Sequence, residues 1–429
     1  MNNYSASMKQ RSDYTFKYNI KNGRHGWLRL TPAYSIKLVK EILQRDSLFP
    51  TDFQAHNILD PFCGTATTGV VAAEYGLNCT LYDINPFLVW FCKIKSKNFK
   101  AENLDMLVEK VREDIQDLQL LEGDYWLPPM KNIERWWSKE TLRSLSTLHD
   151  YITTKWGKPN CESDYNLLWI AFARLCIETS AADFNHISVS FKENTTNHEW
   201  KAIKEMFLAI LQPMIHSAKI YLPGNVTIFE GDSRLLQYEG LYDAVITSPP
   251  YPNRISYIRE LRPYMYWLGF LESGEEAGEL DWKAIGGTWG CATSRLNTWT
   301  QENSHLPKLL LDTCKAIEKS DTKNGKLMAT YVCKFFDDMY IHLDNLRNHL
   351  QPNATINYIL GNSSFYGHLV DTDVIVMEML KELNYTNISS KIIRKRNSKS
   401  NLYEYLISAS YPAAALISTI SIKSQVLEV

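Results

Sequence analysis

No apolar run in this 429-residue chain approaches the ~18 residues that a membrane-crossing helix needs. Met1 to Asp13 is polar and lacks the apolar core of a signal peptide, so a cytoplasmic protein is expected. The eight cysteines (63, 79, 92, 161, 176, 291, 314 and 333) form no CxxC pair, and no His/Cys cluster has zinc-ligand spacing. They read as reduced, mostly buried thiols, and no metal is expected. Phosphate-cradling signatures are missing too. Gly64 and Gly69 have the separation of a P-loop, but Val70-Val71 stand where its Lys-Ser/Thr pair would be, and there is no GxGxxG. Internal repeats and low-complexity linkers are absent. An excess of one charge is lacking as well: the net charge of −2 argues against a general nucleic-acid binder.

Hydrophobic residues make up 45% of the chain and aromatics 12%, ample for a packed core. A helix is predicted over Thr31–Gln44, with Thr31 as its cap, Pro32 in its first turn and Ile36, Val39, Ile42 and Leu43 as an apolar stripe. A strand at 57–59, a Gly/Thr turn, a helix at 68–75 and a strand at 78–82 then read as the opening of a parallel α/β sheet. From about 100 to 222 the pattern is helical. Ser138 is a cap there, and the segment 165–176 is apolar nearly all round, as a buried helix is. Strand patterns return at 226–229, 242–247, 326–332, 355–360, 388–394 and 403–408. The expected architecture is an α/β core from residues 1–98 and 223–429, split by a helical insertion at 99–222 that is far too long for an ordinary loop.

Two turns carry the chemistry. In Asp60-Pro61-Phe62-Cys63-Gly64-Thr65-Ala66-Thr67-Thr68-Gly69 a strand ends, small residues let the backbone turn, and a helix begins. Such a turn leaves free backbone N–H groups at the carboxyl end of a strand, where open α/β sheets bind ligands. Asp83, followed by Ile84, ends the next strand, where an acid can take both ribose hydroxyls. Asp232, followed by Ser233, ends the third and is placed to accept from an adenine amino group. Three strand-end acids suit a nucleoside with a cationic centre better than one with phosphates.

The second turn is Ser248-Pro249-Pro250-Tyr251, after the strand 242–246. Two prolines fix the backbone and remove two N–H donors. What remains is a row of carbonyl acceptors, a hydroxyl and an aromatic plate. An amino group needs such acceptors while its nitrogen attacks a methyl donor, and Tyr251 can stack on a base swung out of a helix.

Together the turns resemble the amino-group DNA methyltransferases of restriction–modification systems. Asp60-Pro-Phe-Cys-Gly64 looks like that family's cofactor loop, Ser248-Pro-Pro-Tyr251 like its catalytic motif, and Arg29-Leu-Thr31-Pro32 like the element it places against the cofactor's methionine end. The resemblance implies a Rossmann-like, seven-stranded class I methyltransferase sheet with a reversed last hairpin. It implies S-adenosylmethionine as donor, double-stranded DNA as substrate and direct in-line transfer to a flipped base, with a cognate restriction endonuclease acting separately. Members with Ser-Pro-Pro-Tyr mostly methylate cytosine N4, so that is the expected target, with adenine N6 as the alternative. The Pro-Cys nucleophile of cytosine-C5 enzymes is absent. Ala66 stands where the family often has a second glycine.

For DNA contact the candidates are Asn253 and Arg254, just past the catalytic turn, and the basic run Lys391, Arg394, Lys395 and Arg396. The insertion is a possible target-recognition region. The segment 271–303, with Gly286-Gly287 and several Trp, is a rival reader of sequence. Asn362-Ser-Ser-Phe365 is a candidate wall of the base pocket, and Trp136-Trp137 reads as helix packing.

Overall fold

The computed structural model describes residues 10–30, 33–48, 56–183, 190–237, 240–287, 291–320, 323–396 and 401–413. Seven strands form its main sheet: β1 (Asn57–Asp60), β2 (Asn78–Asp83), β3 (Val226–Glu230), β4 (Tyr242–Thr247), β5 (Leu350–Gly361), β6 (Thr386–Lys395) and β7 (Tyr403–Ser410). Across the sheet they run β6-β7-β5-β4-β1-β2-β3. The five from β3 to β5 are parallel, and β7 is antiparallel to both of its neighbours. This is the seven-stranded, last-hairpin-reversed α/β sheet that the resemblance implies. From β1 the chain steps outward through β2 to β3, then returns to β4 on β1's other side. The order therefore reverses between β1 and β4, where open α/β sheets leave a crevice at the carboxyl ends of their strands.

Both faces of the sheet are covered, and alternate residues of each strand go to different cores, as a period of two requires. Ile58, Leu81, Ala244, Ile246 and Leu406 join one buried cluster. Leu59, Tyr82, Val245 and Ile407 join the other. The helices α1 (Ile36–Arg45), α2 (Thr67–Glu74) and α3 (Pro86–Lys95) pack into the first cluster. So do the insertion's α4 (Ala101–Asp117), α5 (Lys139–Trp156), α6 (Asn166–Glu178) and α7 (Trp200–Ala218), and after β4 the helix α8 (Tyr257–Trp267). The second cluster is filled by α9 (Gly325–Leu346) and α10 (Thr372–Glu382). Among the described residues no helix is long and apolar enough to cross a membrane.

Two expectations are corrected. The strand predicted at 326–332 is instead the first part of α9. Met328, Ala329, Val332, Phe335, Phe336, Met339, Leu343 and Leu346 are buried at spacings of three and four, a helical period visible only beyond residue 332. The first helix begins at Ile36, and its cap is Ser35, whose side chain accepts from the Lys37 amide; Thr31 and Pro32 lie outside the described residues. The segment 165–176 does form a helix buried nearly all round.

One buried arginine bolts the insertion to the core. The Arg24 guanidinium donates to the Lys95 and Lys97 carbonyls at the end of α3 (2.9 and 2.6 Å). It also donates to those of Ser217, Ala218 and Ile220 at the end of α7 (3.3, 2.7 and 2.7 Å). Apart from that of Ser217, which also accepts from the Ile220 amide, these are carbonyls that helix ends leave without partners. Arg24→Ala would strand those of Lys95, Lys97, Ala218 and Ile220, and at about 1–3 kcal/mol for each buried group left unsatisfied the variant should lose at least about 3 kcal/mol. A urea midpoint unchanged from wild type would contradict this.

Candidate active site

Asp60, at the carboxyl end of β1, is fully buried. Its Oδ1 accepts from the Thr247 hydroxyl at 2.6 Å and from the Phe62 amide at 3.2 Å, and its Oδ2 accepts from the Tyr34 hydroxyl at 2.8 Å. Thr68, at the start of α2, donates its hydroxyl to the Ile246 carbonyl at 3.0 Å. The ends of neighbouring β1 and β4 are thus laced together. The turn after Asp60 and the double-proline turn after Thr247 open side by side. Burial pushes the Asp60 carboxyl up, and its hydrogen-bond donors pull it back.

Gly64 takes φ +51°, a conformation open to glycine, and Ala66 takes φ +57°, where its methyl is strained. The turn is braced from beneath: the buried Lys95 ammonium donates to the Thr65 carbonyl at 2.5 Å, and the Cys92 thiol donates to that of Gly64 at 3.2 Å. Gly69 is needed for packing, since a Cβ there would lie 2.7 Å from Leu81 of β2.

Asp83 accepts from the amides of Asn85 (2.9 Å) and Gly64 (3.0 Å). Burial nevertheless pushes its carboxyl up to about 7. Asp232 lies two residues past β3 and is held in the fork of Arg234, at 3.0 Å to Oδ1 and 2.6 Å to Oδ2. Arg234 in turn reaches Asp338 at 2.8 Å. The carbonyl of Ser233 accepts from His342 Nδ1 at 2.7 Å, which fixes the tautomer. His342 Nε2 therefore accepts from the Tyr358 hydroxyl at 2.6 Å. Burial pulls this imidazole down to about 4, so it is neutral, and its ring meets Phe62 edge-on at 4.8 Å.

A cleft of about 950 Å³ joins these parts. Of the sequence candidates, Pro61, Phe62, Cys63, Gly64, Thr65, Thr67, Asp83, Ile84, Asp232, Ser233, Ser248 and Pro250 line it. Asp60 and Thr68 stand behind the wall, with their polar atoms already committed. Ala284 and Ile285, also on the wall, fall in the 271–303 segment read as a rival reader of sequence, whereas Tyr257, Ile258 and Leu261 of α8, a further part of it, were not singled out from sequence. Nor were His342 and Tyr34; a polar residue breaking a helix's apolar face was the signal for His342, hidden by reading the start of α9 as a strand.

At the second turn the Ser248 hydroxyl donates to the Ile359 carbonyl of β5 at 3.1 Å. Tyr251 lies against β5, where a Cβ at Gly361 would come within 2.8 Å of its ring. Its hydroxyl donates to Glu404 at 2.8 Å, and the Arg396 guanidinium sits 5.0 Å from its ring centroid. Asn253, Arg254, Asn362, Ser363 and Arg396 line a second cleft, of about 740 Å³, on this side. The basic run does not present one cationic face. Arg394 is paired with Glu404 at 2.6 Å, Arg396 turns onto Tyr251, and of the four only Lys391 is exposed.

Comparison with known proteins finds similarity to methyltransferases. Residues 36–134 match the family model described as D12 class N6 adenine-specific DNA methyltransferase. The chain is 22% identical over 426 residues to the Type II methyltransferase M.MvaI of Kocuria varians, covering 89% of this chain and 88% of that protein. This chain is a relative of the Type II methyltransferases. A second such relative, M.BsoBI of Geobacillus stearothermophilus, is 22% identical over 436 residues and covers 90% and 83%. Among solved structures the rRNA methyltransferase aviRa from Streptomyces viridochromogenes aligns over 94% of both chains at 12% identity, with a TM-score of 0.32, too low to carry weight. The family-model match ends well before the double-proline turn, whereas the two Type II relatives align across most of the chain.

Asp83 gives this relative of the Type II enzymes a pH signature. Its folded-state value is raised above the ordinary 3.8, so its contribution to stability is complete below that value and is lost as pH rises through about 7. In chemical denaturation from pH 4 to pH 8, Asp83→Asn should lose less stability than wild type. Parallel pH profiles for the two proteins would contradict the assignment.

Proposed function

We propose that this protein is a site-specific DNA methyltransferase of the Type II kind, which transfers a methyl group from S-adenosylmethionine to an exocyclic amino nitrogen of a base in double-stranded DNA. The observation that carries the reading is that the glycine turn after β1 and the Ser-Pro-Pro turn after β4 line one cleft. A cognate restriction endonuclease acting separately belongs to the same proposal.

The cleft's donor set fits the cofactor. Asp83 and Asp232 put carboxylates on a wall where phosphates would be repelled, while Phe62, Ile84 and Leu88 supply apolar surface. S-adenosylmethionine, when bound, supplies a methyl group on a cationic sulfonium. Asp83 would accept the ribose hydroxyls, and Asp232 and Ser233 would face the adenine edge. Leu30, Ala33 and Tyr34, which flank Thr31 and Pro32, line the same cleft, in keeping with a methionine-end role for that segment.

Ser248 is an acceptor by default. Its only hydroxyl proton is given to Ile359, so its lone pairs are left to accept. With the Pro249 carbonyl it would accept from the amine hydrogens and aim the nitrogen lone pair along the transfer line. Tyr251, held by Glu404 and Gly361, would stack on the flipped base. Catalysis then comes mainly from orientation and desolvation, and no covalent intermediate is needed.

For the target base the comparisons favour adenine N6 over cytosine N4, because the matching family is described as N6 adenine-specific. Ser248 favours cytosine N4, and it lies outside the segment that family model matches. Labelled-donor methylation of mixed DNA, followed by mass spectrometry of the nucleosides and mapping of the sites, separates the two. Absence of both modified nucleosides, or preferential labelling of RNA, ends the proposal.

The roles divide by mutation. Ser248→Ala should cut turnover by about 100-fold and leave donor affinity within about two-fold. Asp83→Ala should weaken donor binding by about 10- to 100-fold, as expected for losing hydrogen bonds to a charged group. Equal loss of donor affinity in the two variants, measured by calorimetry, would refute the division.

A further inference from the structure

Helix α8 does more than close the cleft. Tyr257, Ile258 and Leu261 line that cavity, while Arg259 and Arg262, three residues apart, share an adjoining stripe of the helix. The Arg262 guanidinium lies 5.4 Å from the centroid of Trp136, in the segment leading into α5 of the insertion. Trp136 meets Phe191 edge-on at 5.0 Å, and Arg135 lies 4.7 Å over the Phe191 ring. Two guanidinium groups, one from the core and one from the insertion, therefore rest on two touching aromatic rings. Among the described residues the buried Nε of Arg259 has no hydrogen-bond partner. Burial, followed by the like charges of Arg259 and Arg135, holds Arg262 below its ordinary value. Glu260, on the same helix, acts on Tyr257 and Tyr264.

Like charges gathered in this way repel, and a bound anion relieves the repulsion. Guanidinium forks braced on aromatic faces match phosphate oxygens. We propose that Arg135, Arg259 and Arg262 form a clamp for the DNA backbone across the seam between the insertion and the core. Arg259 and Arg262 lie on the same helix as Tyr257, Ile258 and Leu261, which line the methyl-donor cleft, so the clamp would hold the strand whose base enters it. It gives the insertion, expected from sequence as a possible target-recognition region, a specific part in holding the DNA backbone. The basic run of β6, where Arg394 is spent on Glu404, is less suited to that part.

This inference rests on the DNA methyltransferase reading, and the test keeps the two apart. Binding of a labelled mixed-sequence duplex would be followed by fluorescence anisotropy across a NaCl series. The proteins are wild type, Arg135→Ala, Arg259→Ala, Arg262→Lys and the exposed control Lys201→Ala. Arg262→Lys keeps a cation beside Trp136 but removes the fork. Donor affinity by calorimetry reports that each variant is folded.

Arg135→Ala and Arg259→Ala should each lower the slope of log K against log salt by about one and weaken low-salt binding several-fold. Arg262→Lys should weaken binding with a smaller change in slope, and Lys201→Ala should behave as wild type. Donor-binding variants with the wild-type slope would overturn the clamp while DNA methylation by wild type stands. A wild-type protein that neither binds nor methylates DNA would overturn both.

Discussion

The structure turns on one buried carboxylate. Asp60 accepts hydrogen bonds from Thr247, Tyr34 and the Phe62 amide, and so ties the last residue of β1 to the last residue of its neighbour β4. A carboxylate taken out of water is costly unless its lone pairs are filled, and these donors fill them in one geometry. The two chemically distinct turns therefore cannot drift apart without leaving a buried acid short of donors. Everything the cleft can do, whether holding a nucleoside on one side or presenting acceptors on the other, follows from that registration.

The chemistry on the two sides is set by where protons are already spent. Ser248 has given its hydrogen to a strand carbonyl and is left accepting. Tyr251 has given its own to Glu404 and is left as a plate. His342 is neutral because it is buried, and it spends its one N–H on the Ser233 carbonyl. None of these groups needs an unusual charge state. The geometry leaves acceptors at the double-proline turn, where the proposed reaction would orient an amine.

The insertion is part of the same core rather than a separate body beside it. Its helices share one buried cluster with α1, α2 and α3, and Arg24 spans both through carbonyls at two helix ends. A segment packed so continuously is well placed to meet DNA together with α8, and the arginines at that seam come from both sides.

By itself the sequence determined the strand-turn-helix opening, the acids at the strand ends and the double-proline turn. These are local: Gly64 marks a left-handed turn, Pro249 and Pro250 remove donors, and periods of two or 3.6 show within a short window. The tertiary structure decided the rest, because partners there are far apart in the chain. It withdrew Asp60 from the cleft by pairing it with Thr247, 187 residues on. It divided the basic run by giving Arg394 to Glu404. It extended the run at 326–332 into a helix whose period shows only over its full length. Which polar groups remain free to act is a property of the folded neighbourhood, since a hydrogen bond is spent on whatever folding brings within reach.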